Sequence, residues 1–241
     1  MTDLLLSTGC YPRVMKYDLN DVILRALTHN VAGIEASFLT TDELFNFSPD
    51  DIIVSRLSNT YNTLHAPTKN IKYSNNAESI IVLDKIKYMY KVLNCKNIVF
   101  HYETLSDVDF LSTYLSGFNL SVENSNNSNP VFSAGSDIEA FLEKNSSFSL
   151  TLDVCHALEF SKEYLRQLTN KFSDKIAEVH WSYSGHKLNH DSASSIISDI
   201  KFGLYIVKKL DKKTVLEVDL RPNLENRNVI SSEIELLKNG L

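Results

Sequence analysis

Glycine is scarce in this chain, seven in 241 residues, and none falls in a G-x-G-x-x-G pattern. That argues against the phosphate-cradling turn by which an open, doubly wound sheet holds a dinucleotide. Cysteine is sparse too: Cys10, Cys95 and Cys155 make an odd number with no paired spacing. This suits a reducing compartment rather than a disulfide framework. No apolar run reaches the ~18 residues of a membrane helix. The opening stretch, Met1 to Leu6, lacks a basic flank and reads as a first strand, not a secretory leader. The expectation is a cytoplasmic protein without membrane attachment. Basic charge is also short: 24 Lys and Arg against 30 Asp and Glu leave a net charge of −6. A general nucleic-acid coat is usually basic, although a local basic rim could still take phosphate. Bound cations would offset part of the acidity.

What is present is a steady alternation of short apolar runs and amphipathic segments. Strands are expected at Leu4 to Thr8, Gly33 to Ser37, Tyr61 to Ala66, Asn97 to His101, Asn119 to Asn124, Phe148 to Asp153, Lys175 to Trp181 and Lys213 to Asp219. Helices are expected at Asp18 to Asn30, Thr40 to Phe47, Ala77 to Leu93, Asp107 to Leu115, Ser136 to Lys144, Ser161 to Phe172, Ser192 to Leu210 and Asn228 to Lys238. Loops are expected at Ser125 to Pro130 and Ser182 to His190. Strands rich in Val, Ile and Leu are those of a sheet buried on both faces. Eight strand–helix units in one line, with an apolar share of 43%, define a (β/α)8 TIM barrel, class α/β, as a single domain over residues 1–241.

Six successive strands end on residues that bind metals: His65, His101, Glu123, Asp153, His180 and, within Val215-Leu216-Glu217, Glu217. In a closed parallel barrel the C-terminal strand ends converge on one face, where barrel enzymes carry their chemistry. Histidine, aspartate and glutamate are roughly one residue in six or seven, so composition alone does not put one at each of six consecutive ends. Histidine and carboxylate gathered there read as a divalent-metal site, for zinc or manganese with iron as a further option. His156 lies three residues past Asp153 and can also reach the mouth. His186 and His190 share the loop after the seventh strand, and spacing does not decide which folds back over the centre. Cys155 reads as a small buried thiol, with soft ligation the alternative.

At these residues a resemblance enters. Leu64-His65-Ala66-Pro67, Val122-Glu123-Asn124, Leu152-Asp153-Val154-Cys155-His156-Ala157, Glu178-Val179-His180 and Leu216-Glu217 resemble the xylose-isomerase-like barrel superfamily. That group includes endonuclease IV and many sugar and sugar-phosphate isomerases and epimerases. The Leu-Asp-x-Cys-His-Ala element looks most like endonuclease IV. The resemblance implies a three-metal cluster: His65 and His101 with Glu123 on one ion; Asp153, His180 and Glu217 on a second, bridged by Glu123; His156 and His190 on a third. Leu188 stands where the family carries an aspartate for that third ion.

Three activities compete. The first is endonuclease-IV-like phosphoester hydrolysis of abasic DNA, with Lys69, Lys72, Lys187 and Arg221 as its basic rim. The second is isomerisation or epimerisation of a small sugar or sugar phosphate. There Glu123 and Glu217 combine ligation with proton transfer through an enediolate, and the extra histidines such as His186 bind hydroxyls. The third is implied by a further resemblance: Glu178-Val179-His180, Gly185-His186 and Leu216-Glu217-Val218-Asp219 resemble a barrel group of multinuclear iron oxidases acting on peptides. Glu35 ends the second strand and either orders a histidine, binds substrate or is a plain rim carboxylate. Trp181 packs in the core or stacks on a sugar face. The oligomeric state is not readable from the sequence.

Overall fold

The computed structural model describes residues 3–11, 18–185, 188–191, 197–218 and 227–239. Its strands, in chain order, are β1 (Leu4–Ser7), β2 (Gly33–Ser37), β3 (Asn62–His65), β4 (Cys95–His101), β5 (Leu120–Glu123), β6 (Phe148–Asp153), β7 (Ile176–Trp181), β8 (Tyr183–Gly185), β9 (Leu188–Asp191) and β10 (Lys213–Leu216). Eight of them form a closed parallel barrel in the order β1-β10-β7-β6-β5-β4-β3-β2. The seam is closed by β1 on β10, with Leu5 opposite Val215. This is the expected (β/α)8 TIM barrel. The remaining two strands, β8 and β9, pair as an antiparallel hairpin where a loop was expected.

The helices are α1 (Leu19–Leu27), α2 (Thr41–Asn46), α3 (Asp51–Leu57), α4 (Ala77–Val92), α5 (Val108–Tyr114), α6 (Gly135–Lys144), α7 (Val154–Phe160), α8 (Lys162–Phe172), α9 (Ile197–Leu210) and α10 (Arg227–Asn239). Their starts follow side-chain chemistry. Asp18, Thr40, Asp50, Asn76, Asp107 and Ser161 each accept a hydrogen bond from a backbone N–H of the first turn, satisfying a donor the helix itself leaves open. Two helices run against the sequence reading. The α2 helix ends before Pro49, and α3, capped by Asp50 just past that proline, adds a helix the sequence reading did not place. In α7, the helix begins directly at the end of β6, with Asp153 as its cap.

Strand alternation divides the side chains into two environments. Outward residues such as Ile34, Leu64, Phe100, Val122, Leu152 and Val179 are buried against the helices and make the hydrophobic core. Inward residues fill the barrel, and there the chain is unusually polar. Glu35, Thr63, Ser121, Thr151 and Glu178 are all buried. Asn97 Nδ2 donates to Ser121 Oγ at 2.7 Å, and Ser121 and Thr151 share a 2.6 Å hydroxyl contact. The three cysteines are free and buried. Cys10 braces the seam, its thiol donating to Leu216 O at 3.2 Å and accepting from Val218 N at 3.1 Å.

One glycine is required by close backbone approach. A Cβ on Gly33 would stand 1.7 Å from Tyr61 O and 2.6 Å from Tyr61 C, backbone atoms leading into β3. The Gly33→Ala protein is therefore expected to lose roughly 2–3 kcal/mol of stability in urea unfolding, the scale of an overpacked interior. Unchanged stability would show that β2 and β3 are not in this contact.

Candidate metal centre

The site is built by strand ends. His101 sits beside Glu123, and Asp153 beside His180, in the barrel register. His65 ends β3. Glu217 lies one residue past β10, where its N–H donates to Trp181 O at 3.0 Å and so carries the ladder to the mouth. A cavity of about 520 Å³ opens above them, lined by Phe38, Thr68, Lys69, Glu103, Ser125, Asn126 and Asn129 together with His65, His101, Glu123, His156 and Glu217.

Glu123 is the hub. Its Oε2 is 3.2 Å from His65 Nε2 and 3.2 Å from His101 Nε2; its Oε1 is 3.3 Å from His156 Nδ1 and 3.7 Å from His180 Nδ1. His180 Nδ1 is also 3.1 Å from Glu217 Oε2. Two groups of ligand atoms share this hub: His65, His101 and Glu123, and Glu123, Asp153, His180 and Glu217, each within a 4.8 Å span.

Neighbours set the tautomers. His65 Nδ1 donates to Ala66 O at 3.2 Å and His101 Nδ1 to Glu103 Oε1 at 3.1 Å. That leaves Nε2 of each ring facing Glu123 at 3.2 Å, the arrangement of a metal-ligating histidine whose other nitrogen is held by an outer acceptor. A ring nitrogen facing a carboxylate at this distance needs a positive charge between them, a proton or a metal ion. Asp153 is fixed three ways: its Oδ1 accepts from His156 N–H at 2.8 Å, its own N–H donates to Asn124 Oδ1 at 2.8 Å, and Asn124 Nδ2 donates to Asp153 O at 3.1 Å.

The electrostatics agree. Burial opposes ionisation of Glu123, but the charges of His101 and His180 outweigh it and hold the carboxyl well below its ordinary range. Burial likewise pushes His101 down, yet Glu123 and Glu103 bring it up to about 10. His180 is held well above the usual imidazole range, with Glu217, Glu35 and Glu123 overcoming its desolvation. Burial raises Glu35 to about 7, with His180 pulling the other way. The donor set fits divalent ions: imidazole and carboxylate suit zinc or manganese. Both nitrogens of the fully buried His180 lack a well-formed hydrogen bond, as expected of a ring shaped for coordination.

Other expected site residues fall differently. His156 faces Glu123, but its Nδ1 donates to Asn124 O at 2.9 Å, and it joins none of the ligand groups among the described residues. His190 lies in β9, but its side chain, like His186, Lys187 and Arg221, is outside the described residues. Lys69 lines the cavity. Trp181 does not line it: adjacent to inward His180, it points outward, fully buried, against α9, where a Cβ on Gly203 would meet its ring at 2.9 Å. Stacking on a sugar is thereby corrected to core packing. Glu35 is not a substrate contact either. It is completely buried beneath the mouth, with Oε2 3.2 Å from His180 Nε2. Sequence reading passed over Glu103, Asn124 and Glu178. The last was legible, since two residues before His180 on a strand means the same face.

No family model matches the chain, and none of the curated proteins does. Solved structures do. The chain has the xylose-isomerase-like barrel fold: a xylose isomerase domain protein from Alicyclobacillus acidocaldarius superposes with a TM-score of 0.63 at 12% identity, over 99% of this chain and 96% of that one. The D-allulose 3-epimerase from Methylomonas sp., in complex with D-allulose, gives 0.69 at 14% identity over 99% and 98%. AsfvAP:AG gives 0.66 at 15% identity over 99% and 98%. At these identities the likeness is one of fold.

Protons and metal ions compete for the same ligands here. Because the imidazoles of His101 and His180 are raised, the metal-free rings hold protons near neutrality and an entering ion must displace them. Affinity for Zn²⁺ or Mn²⁺ is expected to rise with pH between about 6 and 8, by roughly one logarithmic unit per pH unit for each proton displaced. Calorimetric titration at several pH values checks this, and a flat profile would contradict the ligand assignment.

Proposed function

We propose that this chain is a divalent-metal-dependent enzyme that isomerises or epimerises small sugars or sugar phosphates at the barrel mouth. The observation that carries the reading is the set Glu123, Asp153, His180 and Glu217, of which Glu123 and Glu217 line a cavity with a single lysine or arginine among its described walls. Its described walls offer hydroxyls and amides from Thr68, Ser125, Asn126 and Asn129, one aromatic face at Phe38, and Lys69 as the only lysine or arginine. A cavity of about 520 Å³ is within the usual range for a small-molecule site. The neighbouring D-allulose 3-epimerase, bound to its sugar on the same fold, supports the reading.

A zinc or manganese ion held by those four residues would supply Lewis acidity toward adjacent carbonyl and hydroxyl oxygens. The rest falls to the chain. Glu217 is the more open of the two glutamates, its side chain 16% exposed against 3% for Glu123. We assign Glu217 the removal of the proton from the carbon beside the carbonyl; the C–H electron pair becomes the double bond of an enediolate. For epimerisation the enediolate is protonated on the opposite face through Glu123, which first takes a proton from the His101 imidazolium 3.2 Å away; the proton held by Glu217 leaves to solvent, which reprotonates His101. Amide and hydroxyl side chains orient the sugar, Lys69 takes a terminal phosphate where there is one, and Phe38 forms an apolar wall.

A second reading, endonuclease-IV-like phosphoester hydrolysis of abasic DNA, is favoured by one observation. The group His65, His101 and Glu123 exceeds what a mononuclear isomerase needs and would suit a two-ion centre. Against it, the described lining offers a phosphate backbone little positive charge.

The Mn²⁺-loaded protein in D2O is expected to introduce deuterium at the carbon beside the carbonyl of a ketose such as D-allulose, or of a ketose phosphate. Glu217→Gln should slow this exchange on the order of 10²–10⁴-fold, the usual scale of general acid–base catalysis. No exchange with any ketose or ketose phosphate, joined to cleavage of an abasic-site duplex that His101→Ala abolishes, would replace isomerisation with hydrolysis.

A further inference from the structure

Below the mouth, the barrel interior holds a second set of acids. Glu35 and Glu178 enter it from β2 and β7, both buried. Each has one oxygen held by a neutral donor: Ser7 Oγ donates to Glu35 Oε1 at 3.0 Å, and Asn97 Nδ2 to Glu178 Oε1 at 3.1 Å. The other oxygen of each, Oε2, is buried without a hydrogen bond. So is Asn97 Oδ1, and so is Thr63 Oγ1, which lies beside Glu35 in the sheet register. Carboxylate and amide oxygens only accept, so a set of them left open in a dry interior calls for something positive.

His180 completes the arrangement. Its Nε2 is 3.2 Å from Glu35 Oε2 and 3.8 Å from Glu178 Oε1. One ligand atom from each of the three residues lies within 4.8 Å of the others. Ligands at ~2.1 Å around a tetrahedral ion stand about 3.4 Å apart, and the two measured separations bracket that value.

We propose that Glu35, Glu178 and His180 Nε2 hold a divalent cation one level beneath the mouth, distinct from any ion of the reaction proposed above. The ring stands between two sites, with Nδ1 toward Glu217 and Glu123 and Nε2 toward Glu35 and Glu178. With both sites filled it bridges them as imidazolate, and its remaining N–H proton leaves to solvent. Two carboxylates among three ligands favour a hard or borderline ion such as Mn²⁺.

Crystals of the protein loaded with MnCl2 and measured at the manganese absorption edge test this. The expected result is an anomalous peak among Glu35, Glu178 and His180 in addition to one at the mouth. Glu178→Gln should remove the lower peak, keep the mouth peak, and reduce bound Mn²⁺ after desalting by one equivalent. Glu35→Gln should do the same, which guards against a folding effect peculiar to one variant. A mouth peak alone, or equal Mn²⁺ content in wild type and both folded variants, overturns the lower site and leaves the proposed function standing. Loss of both peaks from the wild type would overturn both.

Discussion

The carboxylate of Glu123 is the point on which the mouth turns. Four imidazoles converge on its two oxygens, His65 and His101 on one and His156 and His180 on the other. A buried anion of this kind survives only when its surroundings supply positive charge, because removing one from water is costly and removing its partners is worse. Without metal, His101, His156 and His180, all raised above the ordinary imidazole range, supply that charge as imidazolium. A metal ion bound among the same nitrogens would take the place of protons, so loading would exchange one kind of cation for another.

That economy depends on a division of labour across each strand. The outward faces, Ile34, Leu64, Phe100, Val122, Leu152 and Val179, carry the apolar burial that holds the helices to the sheet. The inward faces are thereby free to be polar, and Glu35, Thr63, Ser121, Thr151 and Glu178 occupy space that branched hydrocarbons fill in many barrels. Hydrogen bonds such as Asn97 to Ser121 and Ser121 to Thr151 tie neighbouring strands together inside the lumen, where they set the spacing of the acids and imidazoles.

Much of this was legible before any coordinates. The alternation of apolar strands and amphipathic helices gave the barrel, and the strand-end residues gave His65, His101, Glu123, Asp153, His180 and Glu217, because β periodicity and parallel closure are consequences of chain geometry. What was missed had weaker local signals. The α7 helix is seven residues long, and its first four are buried, so it shows no amphipathic stripe. The α3 helix has only Ile53 and Leu57 as buried anchors. Trp181 could have been placed by alternation against His180, as could Glu178. The pairing of Asn97 with Ser121 and Glu178 could not, since those residues meet only once the cylinder closes. The amide and hydroxyl lining of the mouth, from Thr68 to Asn129, likewise comes from loops whose paths the sequence does not dictate.

Asp153 belongs to two structures at once. One of its oxygens starts α7 by accepting from His156 N–H, while Asn124 braces its backbone from the neighbouring strand. A carboxylate tethered in this way has little freedom to follow ions of different radius, so a metal held here would be selected by stiffness as well as by donor type. The α7 helix in turn packs against β8. One aspartate and one turn of helix thus join the mouth to the hairpin that follows β7.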